Sequence, residues 1–146
     1  MTKTIYTKIA LTIFSLLLAL FSACDFDQIE ENYSDYYDAD KNGLFKKGWI
    51  PSEIVFNSMT DIYQRTNLDL NSCVFNYFLS NKDIEDLKDK VEPTSIRFKK
   101  SHRVKTSSDW INSVNELRHY YINSANESDT VFLAIDEKNN KIYGWR

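Results

Sequence analysis

Few side chains in this 146-residue chain are of types and spacings that could do chemistry. Its imidazoles are His102 and His119, and its thiols are Cys24 and Cys73. A nucleophilic Cys–His pair would have to use Cys73. That thiol stands inside the apolar run 72–80, where a free cysteine serves as a small core residue. No two His or Cys have zinc-ligand spacing, and no cofactor is implied. Asp38, Asp40, Asn42 and Gly43 match the first half of a calcium loop, D-x-D-x-N-G, in which oxygen donors wrap a hard cation. The ninth position of such a loop is Lys46 here, and the twelfth, which needs a bidentate carboxylate, is Trp49. Asp38, Asp40 and Asn42 are therefore a weak metal candidate, and an acidic stretch ending in a turn or helix terminus is the preferred reading.

Two further groups could bind without catalysing. Asp61 and Asp69, with Asn67 and Asn71, flank the end of an expected short helix. Asp and Asn at such places mostly cap backbone N–H groups, with an ion site as the competing reading. The run Arg97, Lys99, Lys100, Arg103, Lys105 contains no acid. Arg97, Lys99, Arg103 and Lys105 share strand parity, so an extended segment would carry one positive ridge facing anionic lipid, glycan or an acidic partner. The competing reading is an edge strand kept soluble by its cations.

Cys24 belongs to a different pattern. Lys3 and Lys8 precede an apolar stretch from Ile9 to Ala23. At about 15 residues it is shorter than the roughly 20 a spanning helix needs, and it has the proportions of a secretory signal. The stretch ends in Phe21-Ser22-Ala23-Cys24, which resembles the lipobox of bacterial lipoproteins. The resemblance implies that the Cys24 thiol takes a diacylglyceryl group and that residues 1–23 are a cleaved signal peptide. It implies a partner in the membrane itself, reached through the lipid anchor. The location would be the cell membrane or outer membrane, facing periplasm or exterior. A formal charge of −3 and this location both exclude a nucleic-acid partner.

These groups must be positioned by the rest of the chain. Seven acids and no base occupy Asp25 to Asp40, which reads with Cys24 as an acidic tether over 24–40. A single domain is expected over 41–146. Tyr33, Tyr36, Tyr37 and Leu44 fall on one face of a possible helix over 33–46, with Gly48 as its stop. Ser58 with Asp61 three residues on predicts a second helix closing at Asn67, burying Met59, Ile62 and Tyr63. Residues 72–80 predict a central strand, with Cys73, Phe75, Tyr77 and Leu79 on one face and Val74, Asn76 and Phe78 on the other. A helix is expected over 82–90, ended by Pro93, then an exposed strand or hairpin over 95–106. Ser108 should cap a helix carrying Val114, Leu117 and Tyr121. A hairpin of 130–135 and 141–145 closes the chain. The sum is an α+β fold: a small antiparallel sheet with helices packed on one face, after a signal peptide and tether.

Gly48-Trp49-Ile50-Pro51, Ser58 with Asp61-Ile62, Asn67-Leu68-Asp69 with Asn71, and the terminal Tyr143-Gly144-Trp145 carry a second resemblance. They are similar to a group of small uncharacterised bacterial lipoproteins with G-W-[ILV]-P, S-x-x-D-I and (N/D)-L-D-x-N segments. That resemblance implies no enzyme activity and transfers no catalytic residue. Aromatic residues are 14% of the chain, and Tyr, Trp and Arg are favoured in binding hot spots. The expected function is a non-catalytic binding module held in the cell envelope, with an envelope protein or glycan as partner. An inhibitor or immunity protein that blocks an incoming toxin is one specific form. The alternative is a small envelope enzyme or calcium-binding domain using the Asp/Asn cluster; convergence of Asp61, Asp69 and one His would favour the enzyme.

Overall fold

The computed structural model describes residues 28–98, 106–123 and 129–146. Among these residues the chain is mostly sheet. Strands β1 (Gln28–Asp35), β2 (Thr60–Asn67), β3 (Ser72–Phe78), β4 (Glu92–Thr94), β5 (Arg118–Asn123), β6 (Thr130–Asp136) and β7 (Lys141–Trp145) form one sheet in the order β1-β2-β3-β7-β6-β5-β4. Every neighbouring pair is antiparallel. The helices are short: α1 (Tyr36–Lys41), α2 (Asn81–Lys88) and α3 (Ser108–Glu116), with 3-10 turns at Phe45–Lys47 and Ser52–Ile54. None of the described helices is long and apolar enough to cross a membrane.

The expected α+β fold, a small sheet with helices on one face, is thereby corrected. The sheet is larger than the sequence pattern implied, because two segments read as tether and helix are strands. Gln28–Asp35, inside the acidic stretch, is edge strand β1, with Tyr33 opposite Ile62 and Glu31 opposite Gln64. Its acids are paired by neighbours: Glu30 by Arg65 and Glu31 by Lys47. Charges along an exposed edge also oppose unwanted strand addition. The helix expected over 33–46 shrinks to α1, capped by the Asp35 side chain accepting from the Asp38 N–H at 2.9 Å. Gly48, with φ +72, stops the 3-10 turn that follows.

The second replaced helix is β2. A bulge at its start shifts the register between Thr60 and Tyr63, with Asp61 at φ +46. Beyond it the strand alternates: Ile62, Gln64 and Thr66 are buried, while Tyr63 and Arg65 are half-buried. Ser58 is not a helix cap; its hydroxyl bonds the Asp83 carboxylate and accepts from the Ser80 N–H. Just upstream of the strand or hairpin expected over 95–106, strand β4 places Pro93 on the sheet edge, as strand prolines do. Residues 95–98 form no regular element, and 99–105 lie outside the described residues. Helix α3 ends at Glu116, so Tyr121 belongs to β5 and not to a helix face.

Helices cover both faces of the sheet. On the first face Phe75, Tyr77, Leu133, Ile135 and Ile142 pack against Ala39 of α1 and Ile84 and Leu87 of α2. On the second face Val74, Ala134, Tyr143 and Trp145 pack against Val114 of α3 and Phe98. The alternation expected for β3 holds: Cys73, Phe75 and Tyr77 enter the first core and Val74 the second. The hairpin of β6 and β7 also forms as expected.

Candidate functional site

Among the described residues the second face is only partly covered, and the part left open is a cleft. Tyr63 and Arg65 of β2 and Val74 and Asn76 of β3 line its floor, because residues two apart share a face. Thr106, Ser107 and Trp110, at the start of α3, form its wall, and its volume is ≈ 390 Å³. The helix is set there by its cap, in which the Ser107 hydroxyl accepts from the Trp110 N–H at 3.2 Å. The indole of Trp110 is fixed edge-on against Phe98, with ring centres 4.8 Å apart, and against Tyr143 at 5.6 Å. Its buried Nε1 donor has no hydrogen-bond partner within the described structure.

The chemistry of the cleft follows from its lining. Arg65 is held by Glu30, with Nε 3.1 Å from Oε2, and this pairing raises its pKa. Burial pushes the Tyr63 hydroxyl above its ordinary value, so it stays protonated and can donate. The lining offers an aromatic wall, a guanidinium, an amide and hydroxyls. Among the described residues that line it there is no carboxylate, thiol or imidazole.

The groups singled out in the sequence lie elsewhere. Asp61 sits at the β2 bulge in a hollow of ≈ 310 Å³ with Asn32, Tyr33 and Ser34. Burial and then the Glu31 hydrogen bond push the Tyr33 hydroxyl there up to about 12. Asp69 occupies the turn between β2 and β3. The two carboxylates stand at opposite ends of β2, roughly 20 Å apart at about 3.3 Å per residue. Asn67 caps the same turn, accepting from the Leu70 N–H at 3.0 Å, and Asn71 takes φ +45. Asn67 and Asn71 thus shape the turn.

His119 lies on β5, four strands from β2 in the sheet order. It is buried beside a groove of ≈ 370 Å³ that includes Arg97, Glu116 and Arg118. Arg97 Nη1 donates to the Leu117 carbonyl at 2.9 Å and meets His119 Nδ1 at 2.6 Å. That contact makes Nδ1 the acceptor and leaves the proton on Nε2. Burial, and then the Arg97 charge, lower the His119 pKa. Of the expected basic ridge, Arg97 is thus tied to the β5 end of α3, while Lys99, Arg103 and Lys105 lie outside the described residues, as does Cys24.

The calcium-loop pattern folds differently. Asp38 and Asp40 lie within α1 and Asn42 is its C-cap. The Asn42 side-chain amide donates to the Asp38 carbonyl at 2.8 Å and to its carboxylate at 3.0 Å. The Ser34 N–H also reaches the Asp38 carboxylate, at 3.2 Å. Among the described residues no three His, Cys, Asp or Glu gather as metal ligands would. Cys73 is buried, and burial pushes its thiol pKa far up.

Sequence reasoning missed the cleft residues Tyr63, Arg65, Asn76 and Trp110 as a group. The alternation in 60–67 was the signal for the first two, hidden by the Ser58 and Asp61 spacing. Residues 27–78 match the protein family described as the YbbD head domain. The matched stretch runs through β1, β2 and β3, and so includes the floor of the cleft but not its α3 wall. No curated protein matches the chain. No solved structure matches it either.

Proposed function

We propose that this chain is a lipid-anchored cell-envelope protein that works by binding and not by catalysis, with the cleft between β2, β3 and α3 as its contact site. The observation that carries the reading is the lining of that cleft: aromatic surface beside fixed hydrogen-bond donors. A partially apolar concavity with a few convergent polar groups is the usual form of a recognition site. Trp110 adds a buried donor with no partner of its own, which a ligand carbonyl or hydroxyl would satisfy. The anchor rests on the sequence around Cys24. An envelope protein or glycan is the partner class that fits both features. Asp61 and Asp69 lie towards opposite ends of β2 and His119 lies on β5, a placement that favours binding over the enzyme alternative.

The test has two parts. Replacing Cys24 with Ser should abolish acyl labelling and release the protein from membranes; retention without an acyl chain refutes the anchor. A photo-cross-linking amino acid at position 63 should capture one envelope component, and the same probe at Asn139 should not. Equal capture at both positions refutes the cleft.

A further inference from the structure

The end of the sheet at which β1 begins is unusual in what it leaves exposed. Strand β1 begins at Gln28, directly opposite Asn67, the last residue of β2. The turn that follows carries Leu68 and Leu70, exposed at 55% and 46%. Ile29, exposed at 44%, lies one residue along β1 from the same turn. The other large apolar side chains exposed among the described residues, Tyr37 and Ile96, lie away from this end. The turn has no need of leucines: its shape is set by Asn67 accepting from the Leu70 N–H and by Asn71 at φ +45. Two leucines projecting from a tip built by asparagines are surface that water does not favour.

Chain length supplies the occupant. From Cys24 to Gln28 there are four peptide steps, which span at most about 14 Å when fully extended. Acyl chains on Cys24 would therefore hold this end of the sheet, and no other, against the bilayer surface.

We propose that the β2–β3 turn is a membrane-facing tip, with Leu68 and Leu70, flanked by Ile29, seated in the lipid headgroup interface beside the anchor. This rests on the lipid anchor proposed above and deepens it, since it fixes which way the domain faces. The acids at Asp25, Asp27 and Asp69 disfavour an anionic surface, so the fitting bilayer is rich in zwitterionic lipid. With the turn on the membrane, the 136–140 turn at the opposite end of the sheet points away from it.

An environment-sensitive thiol probe tests this on the full lipidated chain in phosphatidylcholine vesicles. Cys73 is fully buried, so Asp69→Cys labels in the turn and Asn139→Cys labels at the far end. The expected result is blue-shifted emission, and quenching by brominated lipid, at position 69 only. Adding Leu68→Ser and Leu70→Ser should abolish both signals. Equal, water-like emission at 69 and 139 overturns the proposal, as does insertion that survives loss of both leucines. Mass spectrometry of the Cys24 peptide from the same sample separates the causes. An acylated Cys24 with a wet turn refutes the tip alone, whereas an unmodified, uncleaved Cys24 refutes the anchor and the tip with it.

Discussion

Replacing Gly144 with Ala should destabilise the protein through one contact. A Cβ at this position would lie 2.0 Å from Phe75 Cζ, 2.2 Å from Cε2 and 2.7 Å from Cε1. Ordinary carbon contacts are about 3.5–4.0 Å, so the ring must retreat by roughly 1.5 Å. It has nowhere easy to go. Phe75 is fully buried and stacks on Tyr77 with ring centres 6.0 Å apart and planes 3° from parallel. Tyr77 is itself pinned, its hydroxyl donating to the Ile54 carbonyl at 3.1 Å. Overpacking of this kind costs about 1–3 kcal/mol, and removing a strand glycine returns roughly 0.5–1 kcal/mol of backbone entropy. A net loss of about 1 kcal/mol is expected, which lowers Tm by roughly 4 °C for a domain of this size. Urea unfolding followed by circular dichroism should show a lower midpoint with an unchanged slope. Phe75→Leu should relieve the clash, so the double variant should be more stable than the sum of the single losses predicts, by about 0.5–3 kcal/mol. A Gly144→Ala protein as stable as the parent, or strict additivity with Phe75→Leu, would refute the reasoning.

His119 gives the pH dependence a sign. Its folded pKa is lowered from 6.5 by burial and by Arg97, so the unfolded chain takes up the proton first as pH falls. Its contribution should be intact above pH 6.5 and lost below it; a pH series of urea midpoints, parent minus His119→Asn, should show that decline, and a flat difference refutes it. The Cys73 thiol should resist iodoacetamide in the native protein and react only after unfolding, because it is fully buried and its pKa is raised. Calcium at millimolar concentration should leave Tm unchanged, since Asn42 and the Ser34 N–H already engage the Asp38 carboxylate; a clear rise would revive the metal loop.

Some of this was legible in the residues alone. Strand β3 alternates Cys73-Phe75-Tyr77 with Val74-Asn76-Phe78, and a run with two largely apolar faces reads as a central strand. The β6–β7 hairpin declares itself by β-branched runs around Asp136-Glu137-Lys138-Asn139-Asn140. Helix α2 is marked by Ile84 and Leu87 at helical spacing and by Pro93 beyond. These elements are set by local periodicity, which each segment carries in itself. The pattern around Cys24 likewise depends on no fold.

Tertiary structure decided the rest. Gln28–Asp35 is acidic and would be solvated alone; it becomes a strand because β2 offers a paired edge and Arg65 and Lys47 answer its charges. Thr60–Asn67 buries Gln64 and Thr66, polar residues that disguise a strand, and its bulge at Asp61 breaks the alternation at the point where a helix cap was legible. Asp61 and Asp69, eight positions apart in sequence, are separated by the full length of an extended strand, while Tyr63 and Trp110 are brought to one cleft from distant segments. Such groupings depend on which strands pair and which face a helix covers. Those choices are made by hydrogen bonds and burial between segments, and no single segment records them.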